Sequence, residues 1–231
     1  MSASESASNN DQTDVWAAVD QYFIDQLIGE DQVLTAARES SSDTLFPGID
    51  VTPNMGALLS LLVQISGAKR ILEIGTLAGY SAIWLARAAG PAGQVVTCEL
   101  EETNAEVAQR NLVQAGLAER VEIVLGKAAD SLRAMIDQGT EPFDLVFIDA
   151  DKESNPLYLE AAVTLSRPGT VILIDNTVRG GDVIQQDSDD EATLGTRKLI
   201  EAIGADDRLT ATSMQTVGLK GWDGFTLVRV H

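Results

Sequence analysis

Histidine and cysteine are almost missing from this chain: its 231 residues hold one of each, His231 and Cys98. A single thiol closes no intramolecular disulfide and builds no thiol-rich metal site. A lone histidine at the last position leaves no imidazole for a Ser-His-Asp triad, a histidine general base or a histidine-ligated zinc. Positive charge is scarce as well. The chain carries 16 Lys and Arg against 35 Asp and Glu, a net −19. That balance opposes any function that coats a nucleic-acid backbone, because phosphate contacts need a cationic face. The first cation is Arg38, so the basic start of a secretory signal is missing. No apolar run approaches the roughly 18 residues of a spanning helix. The expectation is a cytoplasmic protein, and neither an internal repeat nor a domain linker divides it.

What is present suits one α/β core. Apolar residues make up 45% of the chain and charged residues 22%, the mix of a soluble globular domain. Met1 to Asp14 (MSASESASNNDQTD) is rich in Ser, Asn and acids and lacks apolar periodicity. It reads as a disordered acidic tail, leaving 15–231 as a single domain that opens with helices. Apolar spacing predicts helices over 15–28 and 31–40, then a third from Pro53 to about Ser66. Next comes a beat of short apolar runs and helical stretches. The runs cover 70–74, 94–98, 121–125, 145–148 and 171–174; the helices lie near 81–89, 103–115, 130–137 and 157–165. This alternation implies right-handed βαβ units and a doubly wound, mostly parallel sheet. A helix over 191–203 precedes 209–213 and 225–230, which read as an antiparallel hairpin at the sheet edge, joined by a stretch holding Gly218, Gly221 and Gly224.

Four strand ends carry the chemistry. Ile71-Leu-Glu-Ile-Gly-Thr-Leu-Ala-Gly-Tyr-Ser81 runs a buried strand into a glycine turn, where ligands of open α/β sheets bind. It lacks the G-x-G-x-x-G dinucleotide pattern, which argues against a nicotinamide dehydrogenase. Glu73 within it either receives a cationic or amine-bearing ligand or belongs to an ordinary turn. Glu99 closes the second strand, where an acid often binds both hydroxyls of a ribose. Asp149-Ala-Asp151-Lys152 and Asp175-Asn176 end two further strands, gathering three carboxylates and an amide at one edge. Such crowding costs energy unless a cation neutralises it. With no histidine or thiol to hand, oxygen ligands select a hard ion: Mg²⁺ first, with Ca²⁺ or Mn²⁺ also suited. Lys152 is the one base in the cluster. Either it pairs with Asp149 or Asp151, or it serves as a general base.

In order, VTPNMGALLSLL, LEIGTLAGYS, VVTCE, FDLVFIDADK, VILIDNTVRGG and GWDGFTL resemble the cation-dependent catechol and caffeoyl-CoA type O-methyltransferases, in their small bacterial form. The resemblance implies the seven-stranded fold of S-adenosylmethionine-dependent methyltransferases, with one antiparallel strand, and a homodimer. It makes Asp149, Asp175 and Asn176 the metal ligands and Lys152 the catalytic base. Val51, Glu73, Gly75, Ser81, Glu99, Ala128 and Asp149 would contact S-adenosylmethionine, with Glu99 on the ribose. The implied acceptor is a small vicinal dihydroxy aromatic chelated to the cation. A hydroxylated tRNA base and a caffeoyl-CoA-like thioester are the alternatives, both opposed by the net charge. Asn155-Pro156 and Arg179-Gly-Gly181 depart from the pattern of many relatives near the expected acceptor pocket. Arg179 would meet a carboxylate of the acceptor or an acid of the protein itself. Gln185 to Glu191 reads as a mobile loop at the pocket mouth.

Overall fold

The computed structural model describes residues 3–231, with side chains from Gln12 onward. Helix α1 spans Ala3–Leu27, so helix runs through the segment expected as a tail. Elongating a formed helix costs far less than starting one. Helices α2 (Gln32–Glu39) and α3 (Pro53–Ser66) follow. Asp31 caps α2 by accepting the Leu34 N–H at 3.0 Å, and Thr52 caps α3 with Pro53 in its first turn, the placements that helix starts favour.

Strands β1 (Arg70–Ile74), β2 (Gln94–Glu99), β3 (Val121–Leu125), β4 (Phe143–Ile148) and β5 (Ser166–Asp175) alternate with α4 (Tyr80–Ala89), α5 (Glu102–Gln114), α6 (Ala128–Asp137) and α7 (Asn155–Thr164). Helix α8 (Glu191–Ala205) leads into β6 (Leu209–Gly218) and β7 (Gly221–Val230). The seven strands lie in the order β3-β2-β1-β4-β5-β7-β6, with β7 alone running against the rest. The doubly wound sheet expected from the strand-helix beat is thus present. Side chains alternate between its two faces. Ile71, Leu145, Phe147 and Leu173 meet Leu59 and Leu85 on the α3–α4 side, whereas Leu72, Ile74, Val146, Ile148 and Ile172 meet Leu159 and Leu199 on the α7–α8 side.

Two elements are longer than their sequence patterns. β5 starts at Ser166, before Pro168-Gly169, because Ser166 pairs with Phe143 and the register then shifts before Leu145↔Val171. The hairpin strands are ten residues each and pair from Leu209↔Val230 to Gly218↔Gly221. Gly224 lies inside β7, where a β-carbon would overlap the Met214 carbonyl oxygen, so it permits close packing where the sequence suggests a turn. Among the described residues no helix is long and apolar enough to cross a membrane.

Candidate active site

Parallel register brings the chemistry together. Ile74 pairs with Ile148 and Ile148 with Ile174, so Gly75, Asp149 and Asp175 follow at the same edge of three adjacent strands. Gly75 has φ +101°, and a β-carbon on it would overlap the Asp149 carbonyl oxygen; only glycine suits that place. Asp149 Oδ1 accepts from Lys152 Nζ at 2.8 Å, and the lysine side chain is only 10% exposed. Asp151 accepts from the Tyr158 hydroxyl and not from Lys152. Asn176 takes φ +57°, a left-handed conformation that asparagine tolerates better than most residues. Its amide N–H donates to Asp175 Oδ1 at 2.8 Å. Burial, and then the charge of Asp149, raises the Asp175 carboxyl above the usual range, while Lys152 opposes them.

Two cavities meet here. The larger, about 740 Å³, is lined by Val51, Gly75, Ser81, Glu99, Ala128, Asp149 and Lys152, among others. The smaller, about 290 Å³, is lined by Asp149, Asp175, Asn176, the loop before α3, α1 and the hairpin tip. Asp149 and Asn176 border both. Cys98 also lines the larger cavity, and burial pushes its thiol up to about 12, leaving it neutral and unreactive.

Glu73 departs from its expected place. It is fully buried on the Ile71–Phe147 face and does not line either cavity, so it lies beneath the glycine turn instead of against a ligand. Its Oε2 accepts from the Thr97 hydroxyl at 2.6 Å, and Thr97 meets the Thr76 hydroxyl at 2.6 Å. Burial, with the Asp149 and Glu99 charges adding to it, pushes the Glu73 carboxyl up to about 7, against the pull of the Ser81 and Thr97 hydroxyls. The unfolded chain ionises this group at ordinary carboxylate pH, so the folded state holds the extra proton between the two values. Stability therefore falls as pH rises through that window, by up to roughly 3 kcal/mol for this group. Glu73→Gln should accordingly gain thermal stability over the wild type at pH 8 relative to pH 5. Melting curves at both pH values check this, and a gap that does not widen with pH would show that the carboxyl ionises freely.

Glu99 is at the cavity wall as expected, and it is already engaged. Its Oε2 accepts from the Thr76 and Leu77 N–H groups at 3.2 and 2.8 Å, and its Oε1 from the Glu101 N–H and Asn104 Nδ2 at 3.0 and 3.1 Å. The carboxylate ties the glycine turn to the start of α5.

The two departures from the family pattern lie away from both cavities. Asn155 has no exposed surface, lines neither cavity, and has both amide atoms buried without partners. Arg179 lines neither cavity; the Asp190 carboxyl, held low by Thr193, is lowered further by the Arg179 charge. The Arg179 Nε is buried without a hydrogen-bond partner. Residues 185–190 also stay off both cavities, with Arg197 donating to the Gln185 carbonyl at 2.7 Å. Two organising residues escaped the sequence reading. Asp223 Oδ1 accepts the Val178 and Arg179 N–H groups, each at 3.0 Å, holding the chain just after Asn176. Gly195 of α8 packs so closely that a β-carbon would overlap the Lys152 carbonyl oxygen. Asp223 sits among glycines and reads as a turn, and nothing local marks Gly195 within a helix.

Comparison with known proteins agrees with this geometry. A sequence model of the O-methyltransferase family matches residues 25–231. A catechol O-methyltransferase of Mycobacterium tuberculosis is 48% identical over 213 residues, covering 92% of this chain and 95% of its own. The O-methyltransferase of Bacillus cereus, solved in complex with SAH, superposes with a TM-score of 0.92 at 49% identity, covering 95% of this chain and all of that one. The O-methyltransferase TomG of Streptomyces achromogenes, involved in tomaymycin synthesis and solved with SAM, also gives 0.92, at 45% identity over 94% of this chain and 98% of its own. A family match over nearly the whole chain, shared with relatives whose structures follow the same path, makes this protein a member of the O-methyltransferase family.

Proposed function

We propose that the chain moves the methyl group of S-adenosylmethionine to one hydroxyl of a vicinal dihydroxy aromatic, with a divalent cation at Asp149, Asp175 and Asn176. The observation that carries this reading is the meeting of two cavities at Asp149 and Asn176, with Lys152 Nζ 2.8 Å from Asp149. One cavity has the size and the acid-bearing wall of a nucleoside site, and the other suits a small ring.

The donor set fits a hard cation. It consists of two carboxylates and a carboxamide, all oxygen donors, with Asp175 buried close enough to feel the charge of Asp149. Mg²⁺ suits it best, with Ca²⁺ or Mn²⁺ also suited. When bound, the cation supplies positive charge that makes an acceptor hydroxyl more acidic. S-Adenosylmethionine supplies an electrophilic methyl on sulfur.

The chain's own residues do the rest. Val51, Gly75, Ser81, Ala128 and Asp149 wall the nucleoside cavity, and Glu73 stiffens the turn from below. Glu99 offers its carboxylate to a ribose diol, which takes over from some of the four protein donors now on it. Lys152 Nζ accepts the proton of the hydroxyl to be methylated, and Asp149 Oδ1 holds that nitrogen in place. Catalysis on this account is positioning and charge stabilisation. Residues 15–231 act as one cytoplasmic domain. The exposed apolar residues Val15, Val19, Tyr22 and Phe23 of α1 are the kind of surface a second copy covers in a homodimer.

Methyl transfer read by mass spectrometry tests the reading, using S-adenosylmethionine and a panel of vicinal diols, with Mg²⁺ and with a chelator. Transfer that stops on chelation is expected. A protein that binds S-adenosylmethionine yet methylates no diol would overturn the acceptor assignment and point to a hydroxylated RNA base or a thioester.

A further inference from the structure

The smaller cavity is bordered by parts of the chain that are far apart in sequence. Its walls include Asp20 of α1, Ile49 to Thr52 ahead of α3 with Asn54 and Met55 within it, and Thr216 to Gly221 at the hairpin tip. The tip is tied down from two sides. Asp20 Oδ2 accepts the Leu219 N–H at 2.9 Å, and a β-carbon at Gly218 would overlap that carboxylate. From the other side, Lys220 Nζ donates to the Gly48 carbonyl at 3.2 Å and to the Asp50 carbonyl. The ammonium is thus held by backbone oxygens of the loop that also borders the nucleoside cavity.

We propose that this pinned hairpin tip is the wall that limits how far an acceptor extends from Asp149 and Asp175, and that Asp20 is the positioning residue that sets it. The inference rests on the methyltransferase reading above and adds the acceptor class. The selected acceptor is a compact single-ring diol, uncharged or cationic, and diols extended by an anionic chain are rejected. Size follows from the volume of about 290 Å³. Charge follows from the lining, where Asp20, Asp50 and Asp223 join the two carboxylates at the strand ends and Lys220 is the one cation. That cation is already occupied by carbonyls, so an anionic extension would meet uncompensated carboxylates.

Selectivity between catechol and a neutral catechol bearing a bulky 4-substituent tests this, read as the ratio of their kcat/KM values with Mg²⁺. Asp20→Ala removes the tie on Leu219, and the preference for the compact diol should drop about tenfold, the size of effect that pocket walls exert. Asp20→Asn keeps an oxygen for the Leu219 N–H while losing the charge. It should hold the wild-type ratio for this neutral pair and improve relative turnover of 3,4-dihydroxybenzoate. S-Adenosylmethionine affinity checks folding, because Asp20 does not line the nucleoside cavity. Should Asp20→Ala not fold, Leu219→Ala shortens the same wall with the backbone tie intact and should shift the ratio in the same direction. A wild type active on catechol with ratios unmoved in these variants would overturn the wall. A wild type inactive on every diol would instead overturn the reading beneath it.

Discussion

Lys152→Ala should lose methyl transfer by roughly 10²- to 10⁴-fold, the range a positioned general base contributes, while S-adenosylmethionine binds with little change. Lys152 Nζ sits 2.8 Å from Asp149 Oδ1, and its side chain is 10% exposed. The residue is the partner of a carboxylate, and the proposed function gives it a second, separable role as a proton acceptor. Lys152→Arg tells them apart. Guanidinium keeps the positive charge beside Asp149 but stays protonated at any working pH, so it restores the ion pair without restoring a base. The expected result is that Arg rescues fold stability and cofactor affinity over Ala, yet turns over no better. Single-turnover transfer by mass spectrometry, together with calorimetric cofactor affinity, reads both quantities. An arginine variant within a few-fold of wild type would remove Lys152 as the base and leave it as a charge partner.

The residues of this site were legible because parallel strands end at one edge. A buried run followed by an acid places a carboxylate at a strand end where ligands of such sheets bind; Glu99, Asp149 and Asp175 stand at such ends and line a cavity, with Asn176 next to Asp175. Glu73 misled because it lies one residue inside the strand. Alternation turns it toward Ile71 and Phe147, into the core, and no local signal separates such an acid from one at the edge. The hairpin was read short for a related reason. Gly218, Gly221, Asp223 and Gly224 have turn composition, yet Asp223 serves the Val178 and Arg179 amides and Gly224 yields to Met214 and Val178. Those demands come from tertiary contact. The far walls of the smaller cavity were illegible, since they join α1 to the hairpin across almost the whole chain.

Gly195→Ala sets two effects of opposite sign against each other. Glycine lies inside α8, where alanine is the better helix former by about 1 kcal/mol. If α8 merely covered the sheet, the substitution would stabilise the protein and leave turnover alone. The β-carbon, however, would overlap the carbonyl oxygen of Lys152 and crowd Glu153, and both contacts are backbone, which cannot rotate aside. The helix or the Lys152 turn must move, and overpacking of that kind typically costs about 1–3 kcal/mol. The expected outcome is a net loss of thermal stability. Turnover should fall by up to about 10²-fold, because a shift of the base by an ångström is enough for that, whereas S-adenosylmethionine affinity should hold, since Gly195 lines neither cavity. A KM for the diol that stays near wild type while kcat drops would mark the effect as misplacement of Nζ and not loss of binding. A variant that melts higher and turns over normally would show that α8 is only a cover, and that Asp149 alone positions Lys152.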